Sequence, residues 1–429
     1  NNFRVVDLGV MVPAQDIIDA AIREKADAVG LSGLITPSLD EMIHVASEMK
    51  RQSLNIPLMV GGATTSKRHT AVRIAPAAGN AVVHVADASL AVPVCQKLIS
   101  VTQRELYVAA IKDEYEAIKR DFEENSSSVK TISYAEAKRR RLVTDWKKSE
   151  IVKPSKTGVT VFRDYSIKEL RGYINWSFVL KAWEMDGKSG VETDKLIKDA
   201  NKLLDIIEGD KLLKAHGVIG LFRASANDDG DIDLFDGPDK LGTVHCLRQQ
   251  QDRGEGKPSL SLSDYVAPAG SGVDDYAGMF AVTAGIGLDD LVRSYEKKKD
   301  DYSAIMVKVL ADRLAEAFAE RLHQIVRTDL WGYSRHEKLT LDEMFRVKYR
   351  GIRPAPGYPA CPDHSEKKVI FNILDVEKNC GMALTENFMM LPVASVSGYY
   401  FAHPESVYFA VSGVSDEQRA DYEIRKRRG

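Results

Sequence analysis

The chain has 429 residues, 44% of them hydrophobic and 28% charged, with a formal net charge of −3. This length predicts two or three domains with real cores, and so small a charge excludes a global attraction to nucleic acid or to an anionic membrane. No apolar run approaches the roughly 18 residues that span a bilayer, the opening NNFRVVDLGV lacks the basic-then-apolar order of a signal peptide, and Cys95, Cys246, Cys361 and Cys380 form no CxxC pair; a cytoplasmic protein with reduced thiols is expected.

The first hundred residues have a βα rhythm. Short β-branched runs at RVVDLGV, ADAVGLSG, IPLMVGG and AVVHVA alternate with helix-period segments at 15–25, 38–51, 66–77 and 88–100. That alternation predicts a parallel sheet with helices on both faces. Ligands of such sheets sit outside the carboxyl ends of the strands, which puts Ser32, Gly33, Thr36, Gly61, Gly62, Thr64 and Thr65 on the expected ligand edge. The plain alternative is that these residues only close turns and cap helices.

From 101 to 154 charge density rises through KDEYEAIKRDFEENSSS and AEAKRRRLVTDWKKSE, with no apolar face wide enough for a core helix. A helical linker is predicted. Its KRRR run at 138–141 has acidic neighbours and reads as a solvated face, not a nucleic-acid site.

Residues 155–429 lose the rhythm. GVTVFRDY, GVIGLFRA, DIDLFDG, YAGMFAVTAG and SVYFAVSG read as strands, mixed with a long helix over 300–328 and shorter ones near 191–207 and 366–378. An α+β domain with an antiparallel sheet follows. In the long helix Ala311, Ala315 and Ala319 recur every four residues and predict a close approach of another element, with Glu316 at the rim of that stripe. By spacing alone Glu316 reads as an exposed partner of Glu320 or Arg313. Further on, RPAPGYPACPDH carries prolines 354, 356, 359 and 362, which fix φ and remove donors, so the stretch is a pre-ordered loop. It holds Arg353 as a clamp for a carboxylate or phosphate and Tyr358 as a flat surface, or it is a structural turn with a surface arginine. Cys361 and His364 make a CxxH with no second pair, which argues against zinc there.

The segments DLGVMVP, GLSGLITPSLDEM, GGATTSKRHTAV, MVKVLADRLAEAFAE, GIRPAPGYPACPDH and SVSGYYFAHPES resemble the C-terminal half of the cobalamin-dependent methionine synthase family over nearly the whole chain. The resemblance implies an incomplete flavodoxin-like cobalamin-binding domain at 1–100, a helical linker at 101–154 and an S-adenosylmethionine-binding activation domain at 155–429. It implies reductive remethylation: an electron from flavodoxin or a flavoprotein reductase and a methyl group from S-adenosylmethionine return cob(II)alamin to methylcobalamin. By the same resemblance Ser32, Thr36 and Ala88, with Gly61, Gly62 and Thr64 of the ligand edge, go to cobalamin. Glu316, Arg353, Ala355, Tyr358, Tyr408 and Phe409 go to S-adenosylmethionine, the last two on a strand, and Asn175 joins them.

Three departures from the family pattern stand out. Asn175 replaces the usual aspartate of YIDW, and Val347 stands where an acidic residue is common, both removing negative charge near the inferred cation site. The DxHxxG loop that supplies a cobalt-ligating histidine is absent, and His44, His69 and His84 lack its setting. The first strand of the flavodoxin-like order is absent with it, so a gap inside the sheet is expected and the natural polypeptide is expected to extend upstream. The folate and homocysteine modules, and the zinc of the latter, are expected as partners outside this sequence. A corrinoid carrier, or a flavoprotein-docking module without turnover, is the alternative reading.

Overall fold

The computed structural model describes residues 3–10, 12–33, 38–62, 64–127, 130–183, 185 and 187–428. They divide into two compact units, 1–130 and 131–429.

The first unit is a parallel sheet of β1 (Val29–Ser32), β2 (Leu58–Gly61) and β3 (Val82–Val85) in that order. Helix α1 (Ala14–Arg23) buries Ala14, Ile18 and Ala21, one stripe at helical spacing, and α2 (Ser38–Arg51) buries Met42, Val45, Ala46 and Met49. Both stripes close over Val29, Leu58, Val60 and Val82 of the strands, with Ile74 from the helical segment after Ser66. Helix α3 (Ala91–Ile99) and the long α4 (Arg104–Ser127) complete the unit. The sequence places α4 in a linker, yet it packs on this unit: the Tyr115 hydroxyl accepts from the His84 backbone N–H at 2.9 Å, and Lys67 meets Glu114 at 2.8 Å.

Two expectations need correction here. RVVDLGV forms no strand, and Val5 and Val10 are 81% and 69% exposed. The three strands that form are mutual neighbours with no gap between them. The physical reason is that a β-branched pattern gains ladder bonds only beside a partner strand. Among the described residues no strand pairs with 4–10.

In the second unit β4 (Gly158–Tyr165), β5 (Lys214–Ala226), β6 (Ile232–Asp236), β7 (Asp239–Val244), β8 (Asp275–Ile286) and β9 (Ser395–Tyr400) form one antiparallel sheet. The order is β9-β8-β5-β6-β7, and β4 pairs with residues 215–221 of β5 on the edge that β6 takes over from 223. Both faces of β5 and β8 are covered, so their residues alternate between two cores. Ile219, Leu221, Phe280 and Val282 enter one, and Val218, Phe222, Met279 and Ala281 enter the other.

The first core is closed by α5 (Val191–Gly209), α6 (Leu288–Lys297) and α7 (Asp301–Ile325). Ala311, Ala315 and Ala319 of α7 are fully buried, as their spacing predicts. Gly217 of β5 is needed for that approach, because a Cβ there would stand 2.9 Å from the Phe318 ring. The second core is closed by short helices at Lys367–Ile373 and Val376–Cys380. The terminal helix α8 (Asp416–Arg428) has no apolar stripe and docks through polar groups. Residues 402–415, in which the SVYFAVSG pattern predicts a strand, run as an irregular strap instead. No helix of the described residues is long and apolar enough to cross a membrane.

Candidate functional site

The proline-rich loop is fastened from both sides. Ile352 and Phe401 exchange backbone bonds at 3.0 and 3.1 Å, and the Tyr399 N–H donates to Pro354 O at 2.8 Å. Two tight turns follow, with Tyr358 N–H on Ala355 O at 3.2 Å and Cys361 N–H on Tyr358 O at 2.9 Å. The strap supplies Val411 N–H to Pro359 O at 2.7 Å and the Tyr408 hydroxyl to Arg353 N–H at 3.0 Å. The prolines have no donors to lose and their neighbours' carbonyls are used, which is why this segment holds one conformation.

Beside the loop, α7 presents an acidic rim. The Arg353 Nη2 donates to Glu320 Oε2 at 2.6 Å, and Glu320 is only 5% exposed. One turn earlier, Glu316 is half-buried and, among the described residues, makes no hydrogen bond or ion pair. Burial raises its carboxyl pKa, an effect that Arg353 and Arg313 only partly offset. Tyr358 is 49% exposed; partial burial, then Glu316 and Asp312, hold its phenol above the ordinary value. Tyr408 is 45% exposed, whereas the ring of Phe409 lies T-shaped against Tyr265 at 6.2 Å.

Under Arg353 the polar face of α7 continues inward. The His323 ring stacks on Tyr400 at 5.2 Å and meets Tyr349 edge-on at 4.8 Å. Arg327 lies over Tyr349 at 4.1 Å and pairs with Glu337 at 2.7 Å. Burial, then the two arginines, lower the His323 pKa far below its usual value, so the imidazole is neutral.

Asn175 caps the short helix Trp176–Ala182, its Oδ1 accepting from the Ser177 N–H at 3.2 Å and hydroxyl at 2.7 Å. That helix packs on α7, with Arg313 5.2 Å from the centre of the Phe178 ring. The structure therefore brings Glu316, Arg353, Ala355, Tyr358 and Tyr408 together, places Asn175 at the start of a neighbouring helix, and turns Phe409 toward the core. Sequence reading missed Glu320, His323 and Arg327 as a group. Their spacing from Glu316, four, seven and eleven residues on, was the available signal, since it marks one polar row along the helix and into the turn Val326–Leu330 that follows it.

In the first unit the register aligns Ser32, Gly61 and Val85 across the sheet, at the carboxyl ends of the strands. The Gly33 N–H donates to Gly61 O at 2.9 Å, the Thr64 hydroxyl to Gly33 O at 3.1 Å and the Thr65 hydroxyl to Gly61 O at 2.8 Å. Gly62 has φ +100°, and a Cβ there would lie 2.3 Å from Gly33 O. Gly61, Gly62 and Thr64 thus stitch two turns together, while Ser32 and Ala88 stand exposed at the edge. Thr36 lies outside the described residues.

Two family models match the chain: "Vitamin B12 dependent methionine synthase, activation domain" over residues 166–427 and "B12 binding domain" over residues 1–92. Among solved structures the chain is similar to one described as "Crystal Structure of the MetH Reactivation Domain bound to AdoHcy". The two are 44% identical with a TM-score of 0.67, and the match covers 69% of this chain and 94% of that one.

Proposed function

Because this chain belongs to the vitamin B12 dependent methionine synthase family, we propose that its second unit binds S-adenosylmethionine against Glu316, Arg353, Ala355, Tyr358 and Tyr408. Its task is to present the methyl donor for reactivation of the cobalamin cofactor. One observation carries this reading: a rigid loop holds an arginine that is hydrogen-bonded through Nη2 alone, next to a half-buried carboxylate that makes no hydrogen bond among the described residues.

Those two groups suit the two ends of the ligand. The Arg353 guanidinium fits the carboxylate of its amino-acid tail. Glu316 supplies negative charge for the sulfonium or ammonium, and Tyr358 and Tyr408 offer half-exposed rings beside it. Loop rigidity lowers the ordering cost of binding. When bound, cobalamin supplies the cobalt nucleophile of the reaction. The chain's residues need only hold the donor and keep water from it. Loss of the methyl turns a sulfonium into a neutral thioether, so the attraction of Glu316 weakens and favours product release.

We assign cobalamin to the first unit, with Ser32, Thr36, Gly61, Gly62, Thr64 and Ala88 at its edge, and divide the chain functionally at 1–100, 101–154 and 155–429. The methyltransferase activity itself, the folate and homocysteine modules, a flavodoxin or flavoprotein reductase as electron donor, and a cytoplasmic setting belong to the same proposal.

Calorimetric titration with S-adenosylmethionine tests it. Saturable one-to-one binding is expected, with Arg353→Lys weaker by about 1–3 kcal/mol at unchanged fold because lysine keeps the charge and loses the fork. Absence of saturable binding would leave a carrier or docking module. Unchanged affinity in Arg353→Lys would make the arginine structural.

A further inference from the structure

Glu320 and Arg353 are an incompletely made pair. The guanidinium Nε and Nη2 share one edge, and only Nη2 is bonded, to Glu320 Oε2 at 2.6 Å. Arg353 Nε and Glu320 Oε1 are both buried without a partner. The edge facing α7 is therefore committed to Glu320, although a two-bond fork is half complete. Among the described residues no other carboxylate is hydrogen-bonded to the guanidinium, although Glu316 acts on it through charge; His323 beneath it is neutral, and Arg327 is paired with Glu337. The loop fixes the Arg353 backbone through Tyr408 and Tyr399, but a long side chain on a fixed backbone still has rotamer freedom to lose.

From this geometry we propose that Glu320 is a positioning residue: it takes the Nε/Nη2 edge of Arg353 and turns the remaining Nη1 end toward the carboxylate of the ligand. The inference rests on the S-adenosylmethionine reading of the site and adds to it a source of selectivity for a ligand bearing a carboxylate tail. An arginine already oriented loses less freedom on binding, and a carboxylate at its back does not block the front edge, because a guanidinium has donors for both. Glu316 has a different part, since it is one turn nearer the amino end of α7 and makes no hydrogen bond among the described residues.

The test compares two probes on the whole chain: S-adenosylhomocysteine, and 5′-methylthioadenosine, which shares the nucleoside thioether and lacks the amino-acid tail. Glu320→Gln keeps the shape and an acceptor while removing the charge. It should weaken S-adenosylhomocysteine by about tenfold, the scale that separates charge-assisted from neutral bonds, and leave 5′-methylthioadenosine within about twofold. In an Arg353→Ala background the same change should have no further effect on either probe. Should the glutamine variant fail to fold by thermal unfolding, Glu320→Asp, which keeps the charge and draws it back by one methylene, should show the same selective loss. Equal losses for both probes, or no loss for either, would overturn the inference while leaving the site reading in place. A wild-type chain that binds neither probe would remove both.

Discussion

Glu316 holds a half-buried carboxylate without a hydrogen bond, and burial raises its pKa above the ordinary 4.5. A raised folded-state value means the folded protein prefers the protonated form. The associated stability is present below about pH 4.5 and is lost as pH rises through the folded value. Relative to Glu316→Gln, the ligand-free wild type should therefore lose stability as pH climbs from about 4.5 toward 7, which thermal unfolding across that range would detect. A cationic ligand reverses the preference. S-adenosylmethionine affinity should rise with pH over the same window in the wild type and stay flat in Glu316→Gln; a wild-type affinity that is also flat would separate Glu316 from the ligand's cation. Asn175 poses a second residue-scale question, because its Oδ1 is already engaged as a cap. Aspartate caps equally well, so Asn175→Asp should change the unfolding free energy by less than about 0.5 kcal/mol. It should tighten S-adenosylmethionine binding by about 0.5–2 kcal/mol at low salt, less at high salt. Equal affinities at both salts would confine Asn175 to the cap.

At the scale of elements, the short helix Leu341–Phe345 shows how a local sequence can conflict with its own backbone. Thr340 and Glu343 form a capping box at its start, each side chain taking the other's backbone N–H. Its end is less well served. Val347 sits just past the helix with φ 56°, a left-handed conformation that a β-branched residue adopts only under strain. Its side chain is 44% exposed, so little packing compensates. Val347→Gly should raise stability by about 1 kcal/mol, read from denaturant unfolding, since glycine carries no Cβ penalty there. A loss of stability instead would show that the exposed valine makes contacts worth more than the strain. The α7 helix illustrates the opposite case, with an alanine stripe that packs and a polar row, Glu316, Glu320 and His323, that reaches toward Arg353, each at helical period.

Across the whole second unit, the terminal helix α8 locks distant parts of the chain. Arg425 pairs with Asp231, bonds Asp421 at 3.0 Å and donates to Cys246 O at 3.2 Å. Asp231 also takes the Cys246 N–H and the His245 ring, each at 2.8 Å. Tyr422 reaches Asp363 at 3.0 Å and Glu366 at 3.2 Å, and Gln418 bonds Arg248 O at 3.0 Å. Arg425 and Asp231 are both buried, so removing one strands the other. Arg425→Ala should cost about 3–5 kcal/mol, followed by denaturant unfolding with tryptophan fluorescence. A cost below about 1 kcal/mol would mean water replaces the guanidinium and the helix is a removable cover.

The sequence alone determined the layer type of each unit, because βα alternation and antiparallel β runs are properties of neighbouring residues. It determined the rigid loop as well, since each proline fixes its own φ, and by resemblance it named Glu316, Arg353 and Tyr358, which the fold brings together. Tertiary structure alone decided which strands are neighbours: RVVDLGV has the pattern of a strand and none of the partners, whereas β9 joins β8 across more than a hundred residues. Only the fold could give Arg353 its partner Glu320, 33 positions away, or bury Arg425 against Asp231, 194 positions away. Periodicity reports which face of an element is apolar; the energy of a buried charge depends on what the folded chain places opposite it, and no local pattern encodes that.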